Sequence, residues 1–489
     1  MSHIIIDQLS FAHEGASDHI FEKLCLTLDS DWRLGFIGRN GRGKTTLLKL
    51  LAGAYEYSGL ISSLLSFDYF PYQIPEEIPA GEGLRAVLPD FEDWRMAREL
   101  SLLSVDPEVL DRPFRTLSGG ERTKVLLAAL FQKEGGFPLI DEPTNHLDRA
   151  GRELLGEYLK RKPGFILVSH DRAFLDQAID HVLALGKTGF ELQKGNFSSW
   201  RQNRDYQDQY ELEREEKLKG DVKRLEEAAR RGADWSRRLE KTKYGHGVPD
   251  RGFVGSQAAR LMKRAKTVDR RRGQALEEAR GLWQNRETDE KLLINSLKHP
   301  QKRLMSISDL SLGYEGRPAI IRGLNLNLDQ GERLMVTGPN GCGKSSLLKA
   351  VIGELRPQAG QLHRAANLEL SYVPQVLNFA PGTGLKSFCR DRRLDESLFK
   401  AILHKLGFEK KHFEGDLGDF SQGQQKKVLI AACLCRPAHL QVWDEPLNHI
   451  DLISRMQIES LILEHQPTLL MVEHDRRFAE AVATGLVEL

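Results

Sequence analysis

No run of about 18 or more apolar residues occurs in the 489-residue chain, so no segment is expected to cross a bilayer as a helix. The opening MSHIIIDQLSF lacks a basic stretch followed by a long apolar core, and no secretory leader is expected. Cysteine is scarce: the five residues Cys25, Cys342, Cys389, Cys433 and Cys435 are scattered, and the last two sit too close for ordinary pairing. That argues against a disulfide framework or a zinc cluster and for reduced thiols in a cytoplasmic protein. Excess charge of one sign is also missing, the net charge being +1. The chain is too long for a single core, so at least two domains are expected.

What is present is a duplication. The glycine-rich loops GRNGRGKTT and GPNGCGKSS place Lys44 and Lys344 300 residues apart. Four further motifs recur in the same order at offsets of 302 to 304. Gln73 in YFPYQ pairs with Gln375 in SYVPQ, and LSGGE at Ser118 with FSQGQ at Ser421. Asp141 in PLIDEPTNHLD pairs with Asp444 in LQVWDEPLNHID, and His170 in LVSHDRAF with His474 in MVEHDRRF. Chance does not order five motifs twice. The chain reads as two copies of one α/β cassette, residues 1–199 and 301–489, joined by a segment of its own kind, residues 200–300.

Each cassette carries phosphate chemistry. LGFIGRNGRGKTTLLKLLAG reads as strand, glycine-rich loop and helix, the form of a P-loop. Its glycines let backbone N–H groups wrap a phosphate at a helix N-terminus. Residues expected to hold nucleotide are Gly38, Asn40, Gly41, Gly43, Lys44, Thr45 and Thr46. In the second copy they are Gly338, Asn340, Gly341, Gly343, Lys344, Ser345 and Ser346. The lysines reach terminal phosphates, and the Thr45 hydroxyl suits Mg²⁺. FPLIDEP is a buried strand ending in two carboxylates. Asp141 is expected to help hold Mg²⁺ and Glu142 to polarise an attacking water, with Asp444 and Glu445 repeating this. A lone His ending an apolar strand is usually structural; His170 and His474, recurring after the acidic pair, point to the γ-phosphate or that water.

LSGGE, the two glutamines and the DEP-x-N-H-[LI]-D runs together resemble the ATP-binding-cassette (ABC) ATPases. The resemblance implies two cassettes meeting head to tail, with ATP and Mg²⁺ between the P-loop of one and the LSGGE-type loop of the other. ATP at the first P-loop would then face Ser421 and Gly423, and ATP at the second would face Ser118, Gly119 and Gly120. Gln73 and Gln375 would sense Mg²⁺ beside Thr45, Ser345, Asp141 and Asp444. Tyr314 would stack on adenine, and its counterpart is His13. Gln422 and Gln424 depart from the signature pattern, so unequal sites are expected.

The joining segment differs in character. From Phe197 to Lys243 it has no proline and dense charge, with Leu218, Val222, Leu225 and Ala229 at 4-3-4 spacing. After KYGHGVPDRGFVGSQ, residues Ala258, Leu261, Ala265, Val268, Ala275, Ala279 and Leu282 keep a 3-4 repeat. This predicts a long α-helical hairpin. Between Arg230 and Arg272 stand fourteen Lys/Arg against four Asp/Glu, a balance of +10, which leaves −9 for the rest. A charge run is usually a solvated face. Here aromatics interleave a basic tip at about residues 241–257, with Lys243, Tyr244, Arg251 and Phe253, which favours nucleic-acid contact.

Duplicated cassettes, a basic helical linker and no membrane domain resemble the ABC-F family of translation proteins. WRLGFIGRNGRGKTTLL, LLSVDPEVLDRPFRTLSGGE, FPLIDEPTNHLDRAGR, PGFILVSHDRAF and ARLMKRAK look most like its Lsa/Vga type of antibiotic-resistance (ribosomal protection) factors. That implies an ATPase of the bacterial ribosome, binding the exit-tRNA site when closed by ATP and reaching 23S rRNA and P-site tRNA. It implies protection against lincosamides, streptogramin A and pleuromutilins, by a monomer whose cassettes pair intramolecularly. A housekeeping ABC-F translation factor and a soluble subunit of an ABC transporter share the ATP motifs and stay open at this point.

Overall fold

The computed structural model describes residues 2–13, 19–88, 91–133, 135–145, 147–186, 189–242, 256, 259–260, 262–264, 266–271, 273–274, 292–314, 316–339, 341–375 and 379–489. The first cassette contains β1 (His3–Phe11), β2 (Phe21–Asp29), β3 (Arg33–Gly38), β4 (Ser58–Ser62), β5 (Ser66–Phe70), β6 (Gly136–Asp141), β7 (Phe165–Val168), β8 (His181–Leu185) and β9 (Phe190–Lys194). Strands β2-β1-β4 form a small antiparallel sheet. The central sheet has the order β5-β6-β7-β3-β8-β9 and is parallel except for the β8–β9 edge.

The second cassette repeats the plan with β10 (Arg303–Leu312), β11 (Ile321–Asp329), β12 (Arg333–Thr337), β13 (Ala359–Arg364), β14 (Leu370–Val373), β15 (Leu440–Asp444), β16 (Leu469–Val472) and β17 (Gly485–Glu488). Its antiparallel sheet is β11-β10-β13, and its parallel sheet is β14-β15-β16-β12-β17. The fold is therefore α/β with two tandem cassettes. FILV in β7 and LLMV in β16 are buried at every position, because helices cover both faces of a parallel sheet.

The cores correspond residue by residue. Leu34, Phe36, Leu47, Leu48 and Ile166 in the first answer to Leu334, Val336, Leu347, Leu348 and Leu470 in the second. Leu48 and Leu348 are fully buried, on α1 (Lys44–Leu51) and on its counterpart Lys344–Ile352. Truncating either to Ala would cost about 2–5 kcal/mol and release the helix that carries the P-loop lysine. In the first cassette the helices that follow are α2 (Ala80–Val87), α3 (Asp93–Leu102), α4 (Gly119–Leu130), α5 (Arg149–Lys160) and α6 (Arg172–Ala178). After α7 (Phe197–Thr242), the second cassette has α8 (Lys344–Ile352), α9 (Leu385–Asp391), α10 (Glu396–Lys405), α11 (Gln422–Cys435), α12 (Leu452–His465) and α13 (Arg476–Val482).

Residues 187–189 and 199–288 form a compact unit of their own, distinct from the unit that holds both cassettes. Its main element is α7, which at 46 residues extends about 69 Å. Leu218, Val222 and Leu225 are half-buried, whereas Lys217, Lys223 and Arg224 are exposed, which is the stripe expected from the spacing. Tyr206, Tyr210 and Trp235 are exposed. The tip residues Lys243, Tyr244, Arg251 and Phe253, the seam residues Ala258, Leu261, Ala265, Ala275, Ala279 and Leu282, and Asn340 lie outside the described residues. Among the described residues, no helix is long and apolar enough to cross a membrane.

Candidate active site

Both glycine-rich loops lie where the strand order places ligands, at the C-terminal ends of parallel strands. The first runs from the end of β3 to α1. Gly43, directly before α1, has φ 97°, and a Cβ there would fall 2.5 Å from Ile20 and 2.9 Å from Phe21. Gly343 repeats this before α8, with φ 106° and a Cβ position 2.9 Å from Ile321. Only glycine meets both the backbone and the space requirements. Lys44 is buried and its Nζ donates to the carbonyls of Gly38 at 2.8 Å and Arg39 at 3.1 Å. Lys344 donates to Gly338 at 2.8 Å and Pro339 at 2.9 Å. Burial lowers the Lys44 pKa, opposed by the charges of Asp451, Glu142 and Asp141. Thr46 and Ser346 lie in the first turns of α1 and α8.

Strands β6 and β15 bring the acidic pairs to these loops. The Thr45 hydroxyl donates to Asp141 at 2.7 Å, and Ser345 donates to Asp444 at 3.2 Å. Glu142 and Glu445 have φ of 50° and 45°. A non-glycine residue there costs about 1–3 kcal/mol, and the same strain recurs at this turn in both copies. Val168 and Val472 carbonyls accept from the Glu142 and Glu445 amides and fix this turn. His170 Nε2 lies 3.2 Å from Glu142 Oε1, and His474 Nε2 lies 3.5 Å from Glu445 Oε1.

The two glutamates have different surroundings. Burial, then the neighbouring Asp141 charge, pushes the Glu142 pKa up to about 8. Burial also acts on Glu445, but hydrogen bonds from His474 and Gln375 outweigh it and leave its pKa lowered. Gln375 Nε2 donates to Glu445 Oε2 at 2.9 Å, and Asn448 donates to the same oxygen. Gln73 is exposed, and Asp141 accepts from the Tyr69 hydroxyl at 3.0 Å. The two copies also differ by one residue here: Tyr72 stands between Pro71 and Gln73, whereas Pro374 directly precedes Gln375.

Burial raises the pKa of both Asp141 and Asp444, as befits carboxylates placed to meet a cation. Among the described residues no group of three or more His, Cys, Asp or Glu could hold a metal alone. One carboxylate with one hydroxyl is nonetheless the protein share of a Mg²⁺ shell completed by phosphate and water, and the residues fit that ion.

Both cassettes lie in one compact unit, and their loops meet crosswise. Asn40 Nδ2 in the first P-loop donates to the carbonyl of His449 at 2.7 Å, and its backbone N lies 3.4 Å from Asp451 Oδ2. Gly423 of the second signature faces this contact; a Cβ there would fall 2.3 Å from His449 O and 2.5 Å from Asn40 Nδ2. At the second P-loop, Gly341, Gly343, Lys344 and Ser345 share a cleft of about 470 Å³ with Gly119 and Asn145 of the first cassette. Ser118, Gly119 and Gly120 line a second cleft of about 1070 Å³ together with Pro339.

The departures in the second signature leave its helix start intact. Ser118 and Glu121 form a capping box, and Ser421 and Gln424 form the same one, so glutamine replaces glutamate without loss of the cap. Gln422 is exposed, where its extra bulk meets no core. Tyr314 is 41 % exposed, with its hydroxyl 3.3 Å from Ser346 Oγ. His13 instead packs edge-on against Phe11 and Tyr55, at 5.0 Å and 5.6 Å.

Several residues at these sites were given no role by sequence reasoning, although Arg152, Asp451 and Glu473 fall inside the quoted motifs. Lys426 Nζ donates to the carbonyls of Pro374 at 2.8 Å, Gln375 at 3.1 Å and Asp444 at 3.1 Å. Burial pushes its pKa down to about 8. In the first cassette Thr123 stands there and donates to Gly119 O at 3.0 Å. Glu473 accepts from Leu447 N at 3.1 Å and His474 N at 2.7 Å, where the first cassette has Ser169 beside Thr144. Asp451 pairs with Lys427 at 2.5 Å, both buried. Arg152 and Arg455 form buried pairs with Asp171 and Asp475. The available signal was recurrence: Arg152 and Arg455, like Asp141 and Asp444, stand 303 residues apart.

Comparisons agree with the duplicated geometry. The family model described as "ABC transporter" matches residues 21–145 and again 321–448. The chain is 27 % identical over 496 residues to "Ribosome protection protein VmlR" of Bacillus subtilis, covering 97 % of this chain and 85 % of that protein. It is 30 % identical over 389 residues to "ABC transporter F family member 3" of Arabidopsis thaliana, covering 78 % of this chain and 50 % of that protein. Its fold resembles a solved structure, the complex of archaeal ribosomal stalk protein aP1 and archaeal ribosome recycling factor aABCE1, with a TM-score of 0.61 at 20 % identity, covering 96 % of this chain and 84 % of that one.

Proposed function

Because the chain belongs to the ATP-binding-cassette family, as a tandem ATPase of its ABC-F branch, we propose that it binds the bacterial ribosome and protects it from peptidyl-transferase-centre antibiotics. ATP closes the two cassettes, and the closed form occupies the exit-tRNA site. Hydrolysis opens them and releases the protein. The drugs are lincosamides, streptogramin A and pleuromutilins. The observation that carries this reading is the similarity to a ribosome protection protein across 97 % of the chain, linker included.

The chemistry is hydrolysis of ATP to ADP and phosphate. A water oxygen attacks the γ-phosphorus, the bond to the bridging oxygen breaks, and ADP leaves. Glu142 and Glu445 orient the water and take its proton. His170 and His474 hold those glutamates toward the γ-phosphate. Backbone N–H groups of each P-loop, with Lys44 or Lys344, bind the phosphates, and Ser118 or Ser421 closes over them from the other cassette. Thr45 with Asp141, and Ser345 with Asp444 and Gln375, would hold Mg²⁺, which neutralises phosphate charge when bound. Tyr314 stacks on adenine at the second site.

The linker joins these events to the ribosome. Its basic tip, with Lys243, Tyr244, Arg251 and Phe253, contacts 23S rRNA and P-site tRNA near the drug site. The exposed aromatics Tyr206, Tyr210 and Trp235 on a densely charged helix support that reading, since such surfaces stack on bases. Cytoplasmic action as a monomer fits the pairing of both cassettes within one chain. Expression in a drug-sensitive bacterium tests the protective role. Inhibitory concentrations for the three drug classes should rise, and unchanged values with soluble protein present would refute it.

A further inference from the structure

Two arginines recur at the same place in both cassettes and have no role in the phosphate, metal or signature contacts described above. Arg152 lies in the first turn of α5, and Arg455 in the first turn of α12, each behind an aspartate N-cap, Asp148 or Asp451. Each is anchored within its own cassette. Arg152 Nε donates to Leu147 O at 3.0 Å and Nη1 to Asp171 Oδ2 at 3.0 Å. Arg455 Nε donates to Ile450 O at 2.9 Å and Nη1 to Asp475 Oδ2 at 3.4 Å. These bonds use two of the five N–H groups of a guanidinium. A helix-capping ion pair would need nothing more.

The arginines nevertheless face the opposite cassette. Arg152 lines the cleft that holds Lys344, Ser345, Glu445 and His474. A smaller cavity of about 200 Å³ again joins Arg152 and Asp171 to His474. On the other side, α12, which carries Arg455, packs against β3 of the first cassette. There Asp451, the N-cap of α12, lies 3.4 Å from the backbone N of Asn40 in the first P-loop, so the start of the helix that carries Arg455 abuts the first site. Both arginines are more than nine-tenths buried, so their charge acts where little water screens it.

We infer that Arg455 and Arg152 are trans-acting positioning residues, each lending the opposite cassette's Glu–His pair a fixed cation that its own cassette holds in place through Asp475 or Asp171. A preorganised positive charge beside the opposite site helps hold Glu142 or Glu445 in its water-orienting position and favours charge developing on the transferred phosphoryl group. The cation is in place only while the cassettes are closed. Hydrolysis at either site then depends on an element that arrives with closure, which keeps the open form from spending ATP. The aspartates follow His170 and His474 directly, so each arginine also ties its own histidine loop to the opposite site.

The inference rests on Glu142 and Glu445 serving hydrolysis, and the experiment separates the two ideas. Single-turnover ATP cleavage is measured with protein in excess, in Glu445→Gln and Glu142→Gln backgrounds, with Arg152→Gln or Arg455→Gln added to each. In the Glu445→Gln background only the first site cleaves, and Arg455→Gln should slow it about tenfold or more beyond any effect of Arg152→Gln. In the Glu142→Gln background the order should reverse. Lysine at the same position should restore part of the rate, and binding of a fluorescent ATP analogue should change little. If each arginine instead serves its own cassette, or both substitutions act equally in both backgrounds, the inference is overturned. A fall in rate that merely follows the thermal midpoint, without the crossed pattern, overturns it as well. Cleavage persisting in the Glu142→Gln/Glu445→Gln protein would instead refute the catalytic assignment on which the inference rests.

Discussion

Asn40 of the first P-loop donates its side-chain amide to the main-chain carbonyl of His449, 409 residues away in the second cassette, at 2.7 Å. Beside that bond lies Gly423, whose α-hydrogen faces Asn40 where any side chain would collide. The pair thus joins the first phosphate loop to the NHID turn of the opposite cassette, beside its signature glycine. Replacing Asn40 by Ala removes one hydrogen bond, worth about 1 kcal/mol. Steady-state ATPase assays should show an apparent KM raised about fivefold, with little change in the thermal midpoint.

Gly423→Ala tests the same contact by overfilling it. A Cβ would come within 2.3 Å of a main-chain oxygen, which cannot give way as a flexible side chain could. Overpacking of this kind costs about 1–3 kcal/mol, here directed against closure. Turnover should fall about tenfold or more, while the protein remains folded by circular dichroism. Wild-type turnover would show that the cassettes do not meet here during hydrolysis.

The Asp451–Lys427 pair offers a pH test. Burial opposes ionisation of Asp451, but Lys427 and the Ser454 amide outweigh it and hold its carboxyl far below the usual carboxylate range. A lowered folded pKa means that the stabilisation is complete above the unfolded value, about 4, and is lost as pH falls below it. Asp451→Asn leaves the Lys427 ammonium buried without its counter-charge, a loss of about 3–5 kcal/mol. Urea midpoints should therefore differ widely between wild type and variant at pH 7, with the gap narrowing progressively as pH falls below about 4.

Tyr314→Ala should weaken nucleotide binding at the second site only. Loss of an aromatic stack costs about 1 kcal/mol, and titration with a fluorescent ATP analogue should resolve one weakened site and one unchanged. His13→Ala should leave both affinities near wild type, since its ring is engaged with Phe11 and Tyr55.

Most of the ATP machinery was legible because its chemistry forces residue type and spacing. A P-loop needs glycine where φ is positive and the packing is tight, and Gly43 and Gly343 meet both demands. The duplication was legible for the same reason. Less visible was how each motif is seated. Nothing local announces that Gln375 reaches Glu445, or that Lys426 holds three carbonyls around Glu445 where Thr123 holds one near its own helix start. Those differences arise from contacts between segments far apart in sequence, which periodicity does not encode. Arg152 and Arg455 were hidden for another reason: an arginine in a helix's first turn looks like ordinary surface charge until burial is known.

The linker tip should separate protection from hydrolysis. Phe253→Ala, or deletion of Gly245 to Gly252, should lower drug resistance while ATPase activity stays within about twofold of wild type, as expected if the tip serves the ribosome and the cassettes serve ATP. Parallel loss of both would mean that the segment supports folding.

The most direct measurement of the central claim is co-sedimentation of the Glu142→Gln/Glu445→Gln protein with ribosomes in ATP. Trapped in the closed form, it should pellet with ribosomes in ATP and remain in the supernatant in ADP. Protein that stays in the ribosome-free fraction with ATP bound would contradict the account.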